Sequence, residues 1–433
     1  MPRASAVLAI GLLIAAAAFA GEPPPKPAGP GPLDTSCVTC HKELDGPALE
    51  AAQHAPEDIH FAKGLSCHDC HGGDPLAGFD GDPSAAHDEA KGFRGKPTRL
   101  QIPDFCARCH SDAVFMKRFN PRARVDQLLE YRTSVHGQRN QKGDEKPAVC
   151  VDCHGVHGIR AVGDPRSSVH PLHVAGTCGK CHNDAALMTT YHRKTGQVEE
   201  YKTSVHATAL YDHGDLSAPT CNDCHGSHGA VPPGVDQVAG ICGSCHGREA
   251  TLFRETQAKK RLDLTPCIQC VICHTNHAVK PPTPEMLGVG PGSTCIGCHD
   301  PASNGYKAAA KMADAIGSLR SRMKEAHELL ADAERAGIEV GPDQFALQGA
   351  QDKMIESRVL AHSFDLDRFM AAANEGITIA DSGVSAGHRA FAELRFRRSG
   401  LALSLVVIAA VIAALYLTIR RIERAQSAGS PES

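Results

Sequence analysis

Tryptophan is absent from this chain, and only 13 Phe and 6 Tyr serve its 433 residues. The length would suffice for two or three ordinary domains. The large apolar side chains that usually fill such interiors are missing, so something other than aromatic residues must occupy the core. A charge excess is lacking too. Lys and Arg number 45 against 49 Asp and Glu, a net charge of −4. That balance carries no phosphate-binding footprint and excludes nucleic acid as the expected partner. Cysteine and histidine, by contrast, are abundant, at 19 and 25.

The cysteines obey one rule. Each C-x-x-C is followed by histidine: Cys37, Cys40 and His41; Cys67, Cys70 and His71; Cys106, Cys109 and His110; Cys150, Cys153 and His154; Cys178, Cys181 and His182; Cys221, Cys224 and His225; Cys242, Cys245 and His246; Cys270, Cys273 and His274; Cys295, Cys298 and His299. Nine motifs use eighteen cysteines. C-x-x-C-H is the attachment motif of c-type haem. Two thiols one helical turn apart reach the two vinyl groups on one porphyrin edge, and the adjoining imidazole meets the iron from one face. Zinc sites join two C-x-x-C pairs into one tetrahedron and need no histidine after each. Redox dithiols and disulfides need none either. The expected cofactor is therefore haem c, nine groups covalently attached. Cys267, in "CIQCVICH", is left over as an inert thiol, an intermolecular disulfide partner or an iron ligand.

Sixteen histidines remain, and closing nine irons with a second imidazole needs nine of them. His157, His228 and His277 each follow a proximal histidine by three residues. Such a residue lies on its own haem's proximal side, so it is expected to ligate a neighbouring haem. His68, inside "CHDCH", is held by the same loop and is a candidate for the same role. A second pattern, "SVH", carries His136, His170 and His206, 8 to 15 residues before the next motif, enough chain to cover the far face of a haem. His60, seven residues before Cys67, fits that role, and His173 is an alternative to His170. Met116 and Met188, six residues after a proximal histidine, suit packing on a short helix and are read as core.

Residues 109–137 and 181–207 match as an internal repeat, each followed by C-x-D-C-H-G-x-H-G and another C-x-x-C-H. From Cys37 to His299 there is about one motif per 29 residues. At that density the porphyrins themselves form the core, with short helices, long loops and almost no sheet. After His299 an apolar stripe runs from Met312 to Ala333 and resumes from Leu347 to Phe364, predicting two helices in an antiparallel hairpin. His362, in "VLAHSFD", could cap a haem from outside the haem domain or stand as a half-exposed helix histidine.

The termini set the location. "MPRASAVLAIGLLIAAAAFA" has a charged start, an apolar stretch and an A-x-A site, the pattern of a secretory signal. A Pro-rich spacer follows. Leu401–Ile419 holds nineteen residues without charge and would span roughly 28 Å as a helix, close to the ~30 Å bilayer core. The predicted class is mainly α. The layout is a signal peptide at 1–20, a linker at 21–36, the nine-haem domain at 37–300, a helical extension at 301–398, a transmembrane helix at 399–420 and a cytoplasmic tail at 421–433. The haem domain is placed on the periplasmic side of the cytoplasmic membrane.

The nine motifs, the "SVH" and C-x-D-C-H-G-x-H elements and the two-haem repeat resemble the periplasmic multihaem cytochromes c, the broad group around the cytochrome c3-like and nitrite- and hydroxylamine-reductase-like families. The resemblance covers residues 37–299. It implies bis-histidine haems in a chain, low potentials and electron conduction, with a quinol-oxidising membrane complex or other redox proteins as partners. The other reading it implies is a reductase of nitrite, hydroxylamine or a sulfur oxyanion with one open haem. The C-x-x-C-K motif of the lysine-ligated nitrite reductases is absent here. A third reading, a subunit of an extracellular cytochrome polymer, is at odds with the membrane helix.

Overall fold

The computed structural model describes residues 31–79, 82–234, 238–264 and 269–428. The expected signal peptide, most of the spacer, Cys267 and the last residues of the tail lie outside them. The described residues are helical or irregular, with no strand among them. They divide into two compact units. One holds the residues up to Asp184 together with Thr220–Val231; the other holds Ala185–Pro219 and the chain from Pro232 onward.

The first unit is built of short helices, the longest of them Pro171–His182. The haem motifs form three of them: α1 (Cys67–His71), α2 (Cys150–His154) and α3 (Cys221–His225). Their sequence, C-x-D-C-H-G, explains both ends. The aspartate accepts the backbone N–H of the residue before the first cysteine, at 2.7 Å for Asp69 with Ser66, Asp152 with Val149 and Asp223 with Thr220. This satisfies a donor that the helix cannot. The glycine ends each helix at positive φ, 72° at Gly72, 81° at Gly155 and 84° at Gly226, a conformation that costs other residues energy. Each motif helix is therefore five residues long by design of its own sequence. Arg99 reaches across to Asp152 at 2.7 Å. Burial works to raise that carboxyl, but the guanidinium and the Val149 N–H hold it below the usual carboxylate range.

The second unit contains the hydrophobic core cluster of the described residues, whose buried members lie between Met312 and Ala390. It is a bundle of α4 (Asn304–Arg335), α5 (Gly341–Leu360) and α6 (Leu366–Ala428). Ser303 caps α4 by accepting the Tyr306 N–H. Gly337, at φ 84°, ends it, and Ile338 and Val340 plug the turn into α5. The expected hairpin forms, and the structure adds a third helix that the apolar stripes did not announce. Its signal is weak because α6 buries small residues: Ala372, Ala373, Ala380, Ala386 and Ala390. Gly376, Gly383 and Gly387 lie on the same face, and a Cβ at 387 would stand 2.6 Å from Leu329 Cβ. Close backbone approach at these glycines, together with the buried Phe369 and Val384, holds α6 in the bundle.

Beyond Phe391 the same helix leaves the bundle without a break. Every residue from 395 to 425 is exposed, and the segment is apolar enough to cross a membrane, with mean hydropathy 2.6 and none of it buried. Arg395, Arg397 and Arg398 mark one end of the apolar run and Arg420, Arg421 and Arg424 the other, as interfacial cations do. The chain thus carries one candidate single-pass membrane helix among the described residues.

Overpacking the α4–α6 seam should cost about 1–3 kcal/mol. Gly387→Leu is expected to lower the far-UV melting transition of the detergent-solubilised protein. Gly317→Ala, on the exposed face of α4 with nothing within 4 Å, should be neutral or stabilise by up to about 1 kcal/mol.

Candidate haem-binding sites

Seven histidine pairs share one spacing. Ring centroids stand 6.1 Å apart for His41 and His87, 6.0 Å for His60 and His110, and 6.3 Å for His71 and His157. The values are 6.2 Å for His136 and His182, 6.1 Å for His154 and His228, 6.4 Å for His206 and His246, and 6.0 Å for His274 and His362. One member of each of these seven is the histidine of a C-x-x-C-H motif; one further pair at this spacing, His170 and His173 at 6.3 Å, holds none. Stacked rings would touch at much shorter range. An imidazole nitrogen binds a metal at about 2 Å, and its ring centre lies about 1 Å behind that nitrogen. Two imidazoles on opposite sides of one iron therefore have centroids about 6.3 Å apart. The spacing fits one metal atom between each pair.

The surroundings agree. Burial lowers the pKa of His41, His110, His136, His154, His157, His182, His206, His228 and His274. This favours the neutral imidazole, the form that ligates. The remaining ring nitrogens find backbone acceptors. His71 Nδ1 lies 2.9 Å from Gly95 O, His225 Nδ1 3.1 Å from Val231 O, and His362 Nδ1 3.0 Å from Val359 O. Such bonds fix the tautomer and leave Nε2 for a metal. The buried apolar side chains between Val38 and Phe253 are few and scattered, so a large flat apolar group is what this region needs to close its interior.

The cysteines run in order. Cys106 and Cys150 hydrogen bond through their thiols, as do Cys178 and Cys221, and Cys242 and Cys270. Cys37 and Cys67 interact across the first two motifs. These are the first cysteines of successive motifs. The second cysteines link the alternate steps: Cys70 with Cys109, and Cys153 with Cys181. Cys273 likewise lies near Cys295 and Cys298. Within each unit, motifs adjacent in sequence are thus adjacent in space, joined alternately at one end of the motif and the other.

One docking device recurs three times. Ile59 N–H donates to Ile159 O at 2.7 Å, Val135 N–H to Ala230 O at 3.1 Å, and Val205 N–H to Val279 O at 2.8 Å. Each joins the residue before His60, His136 or His206 to the residue two after His157, His228 or His277. A serine caps the helix that starts after it in two of the three, Ser134 on Gly137 N–H and Ser204 on Ala207 N–H. The chain before each "SVH" is anchored as well: Tyr131 donates to Ala148 O and Tyr201 to Pro219 O, both at 3.0 Å.

The pairing differs in part from the expected one. His60, His136 and His206 face not the next motif but a later one, at His110, His182 and His246. The backbone bond commits each of them to a loop about 75 to 100 residues on, which carries it past the nearer motif. His157 and His228 face the earlier motifs at His71 and His154, on haems other than their own, as their place on the proximal side required. His362 stands at the turn after α5 and faces His274. His87 was not singled out from the sequence. It ends a short helix outside every repeated pattern, and its one signal is that it lies free between two motifs while the first motif has no histidine upstream. His170 instead caps a helix, its Nδ1 3.3 Å from Leu172 N, with its ring 6.3 Å from His173. His68 lies beside Asp69, and its buried Nδ1 has no hydrogen-bond partner. His277 has its Nδ1 3.5 Å from Glu200. His299 backs onto Gly305, where a Cβ would stand 2.3 Å from the ring. Met188 is buried, and Met116 half-buried.

This crossed pairing has a direct test. His136→Ala should leave the haem content unchanged and convert one low-spin haem to high spin, seen by electron paramagnetic resonance. In a protein that lacks the 178–182 motif through Cys178→Ala and Cys181→Ala, the same substitution should add no new high-spin signal. A signal that persists there would place His136 on a different haem.

No family model matches the chain, and no solved structure does. One curated protein is similar: the C-type polyheme cytochrome OmcC of Geobacter sulfurreducens, 28% identical over 166 residues, which is 36% of this chain. The match spans 19% of that protein's length. Together with the repeated C-x-x-C-H motifs and the spaced imidazole pairs, this likeness supports a multihaem c-type cytochrome with covalently bound haem and a role in electron transfer.

Proposed function

We propose that this chain is a membrane-held electron conduit carrying nine c-type haems. The observation that carries the reading is the recurrence of one spacing, 6.0–6.4 Å, between seven motif histidines and seven others. The two cysteines of each motif would hold the porphyrin by thioether bonds, and the paired imidazoles would hold the iron from both faces. Haem supplies one-electron chemistry when bound. The protein's part is to close the irons against exogenous ligands and to keep successive haems in contact. Bis-histidine ligation without methionine favours low potentials. These suit electrons from a quinol-linked donor in the membrane and delivery to acceptors or redox proteins outside it. The leader at 1–20 and the apolar stretch at 401–419 support a single-pass protein of the cytoplasmic membrane, with the motifs on the extracytoplasmic side.

A specific observation keeps a second reading in view. The ring of His299 packs on Gly305, and no second histidine ring stands at the paired distance from it. All 25 histidines fall among the described residues. The haem of the last motif could therefore bind a small ligand, as a reductase of nitrite, hydroxylamine or a sulfur oxyanion requires.

The mass of the mature protein above its polypeptide should equal nine haems. Carbon monoxide added to the reduced protein should bind no more than two of them, the nine haems less the seven whose motif histidine stands in a pair. A chain ending at Arg398 should keep every haem and still accept electrons from dithionite, yet lose reduction by quinol in membranes. Rapid turnover of nitrite or hydroxylamine by that soluble form would replace the conduit with the reductase.

A further inference from the structure

The carboxylate of Asp58 occupies an unusual place. It is 5% exposed and accepts four donors. Oδ1 takes the backbone N–H of His60 at 2.8 Å and lies 2.9 Å from His60 Nδ1. Oδ2 takes the backbone N–H of Gly158 at 2.8 Å and of Ile159 at 2.9 Å. Those two residues directly follow His157. A single carboxylate therefore fixes the ring that faces His110 and the loop of the ring that faces His71. These belong to successive motifs, whose second cysteines, Cys70 and Cys109, interact.

Both copies of the repeat also carry an acid at the corresponding junction, but beside the other histidine of the pair. Glu130 and Glu200 each lie six residues before the "SVH" histidine. Glu130 stands 3.7 Å from His228 Nδ1 and Glu200 3.5 Å from His277 Nδ1. Neither distance is a good hydrogen bond. At His71, His225 and His362 the Nδ1 atom bonds a backbone carbonyl instead. His60 stands apart in having a buried carboxylate at hydrogen-bond distance.

We infer that Asp58 is a positioning and tuning residue: it holds His60 with its Nδ1–H donated to a carboxylate, and so makes the haem of the Cys106–His110 motif the lowest in potential among its neighbours. The inference rests on the bis-histidine reading above. A ligand that donates its second N–H to a carboxylate becomes a stronger electron donor to its metal. It stabilises ferric over ferrous iron, as does a fixed negative charge nearby, and hydrogen bonding and burial are among the levers a protein has on haem potential. Glu130 and Glu200 place the same charge farther from their rings and in more solvent, so their effect is smaller and more screened. The chain would then hold a low step at its third haem, an electron poised to leave in either direction.

The experiment is a potentiometric titration of the full-length holoprotein in detergent, read by electron paramagnetic resonance. Asp58→Asn should move one low-spin haem to higher potential with all haems retained by mass. In a protein without the 106–110 motif, through Cys106→Ala and Cys109→Ala, the same substitution should move nothing. Asp58→Glu, which restores the charge, should bring the potential part of the way back. Unchanged midpoints in Asp58→Asn overturn the inference. So does a new high-spin haem without any upward shift, which would leave Asp58 a purely structural role. If Asp58→Asn does not fold, the wild-type protein decides alone. Near-infrared magnetic circular dichroism should show one ferric haem with the charge-transfer band of an imidazolate-like ligand, missing when the 106–110 motif is removed; nine identical bands overturn the inference. A wild-type protein that is high-spin throughout would instead sink the ligation reading on which this rests.

Discussion

Two imidazole rings can share one iron only at one separation, and seven pairs of rings in this chain are held at it. The region has no apolar core of its own, so long-range order must come from something stronger than scattered alanine and valine. A metal clamp between residues far apart in sequence closes long loops, which is where a cross-link constrains an unfolded chain most. His71 with His157, and His154 with His228, tie segments more than 70 residues apart. The helices of the 67–71, 150–154 and 221–225 motifs can be short because each end is satisfied locally by an aspartate and a glycine. They need only present two thiols and one imidazole, not bury a face.

The crossed pairing follows from a steric limit. A histidine three residues beyond its motif cannot pass round its own porphyrin, so it is available only to another. The backbone bonds from Ile59, Val135 and Val205 bring a second free histidine to the same loop. The junctions at Ile59 and Val135 each carry two rings aimed at different motifs. Neighbouring sites are therefore fixed relative to each other by the same few atoms, and the conserved distance between them, rather than the chemistry of one centre, is what the repeated sequence encodes. The acid near each junction adds an electrostatic element to a geometric one.

The helical bundle is a different kind of structure in the same chain. Its core is apolar, its helices are long, and its stability comes from area and close packing. It meets the motif region of its own unit through the turn after α5, where His362 faces His274 and Phe364 lies 6.3 Å from Phe253. Because α6 runs unbroken from Leu366 into the exposed apolar segment, the bundle and the membrane helix form one rigid rod. The motifs that touch the bundle are held at a set distance from that segment.

The sequence by itself determined the chemistry. Covalent attachment needs two thiols and an imidazole at a fixed local spacing, and local spacing is visible in a string of letters. The motif helices, the hairpin and the long apolar segment were legible for the same reason. Which histidine meets which motif was decided only by the tertiary structure. His87 carries no pattern, His170 fits one and caps a helix instead, and His136 lies nearer in sequence to His154 than to the His182 it faces. The third helix, α6, was hidden as well, because alanine and glycine pack by proximity and leave no hydrophobic stripe. A distance of six ångströms between rings roughly forty to ninety residues apart depends on where single backbone hydrogen bonds dock the loops, and no local rule fixes that.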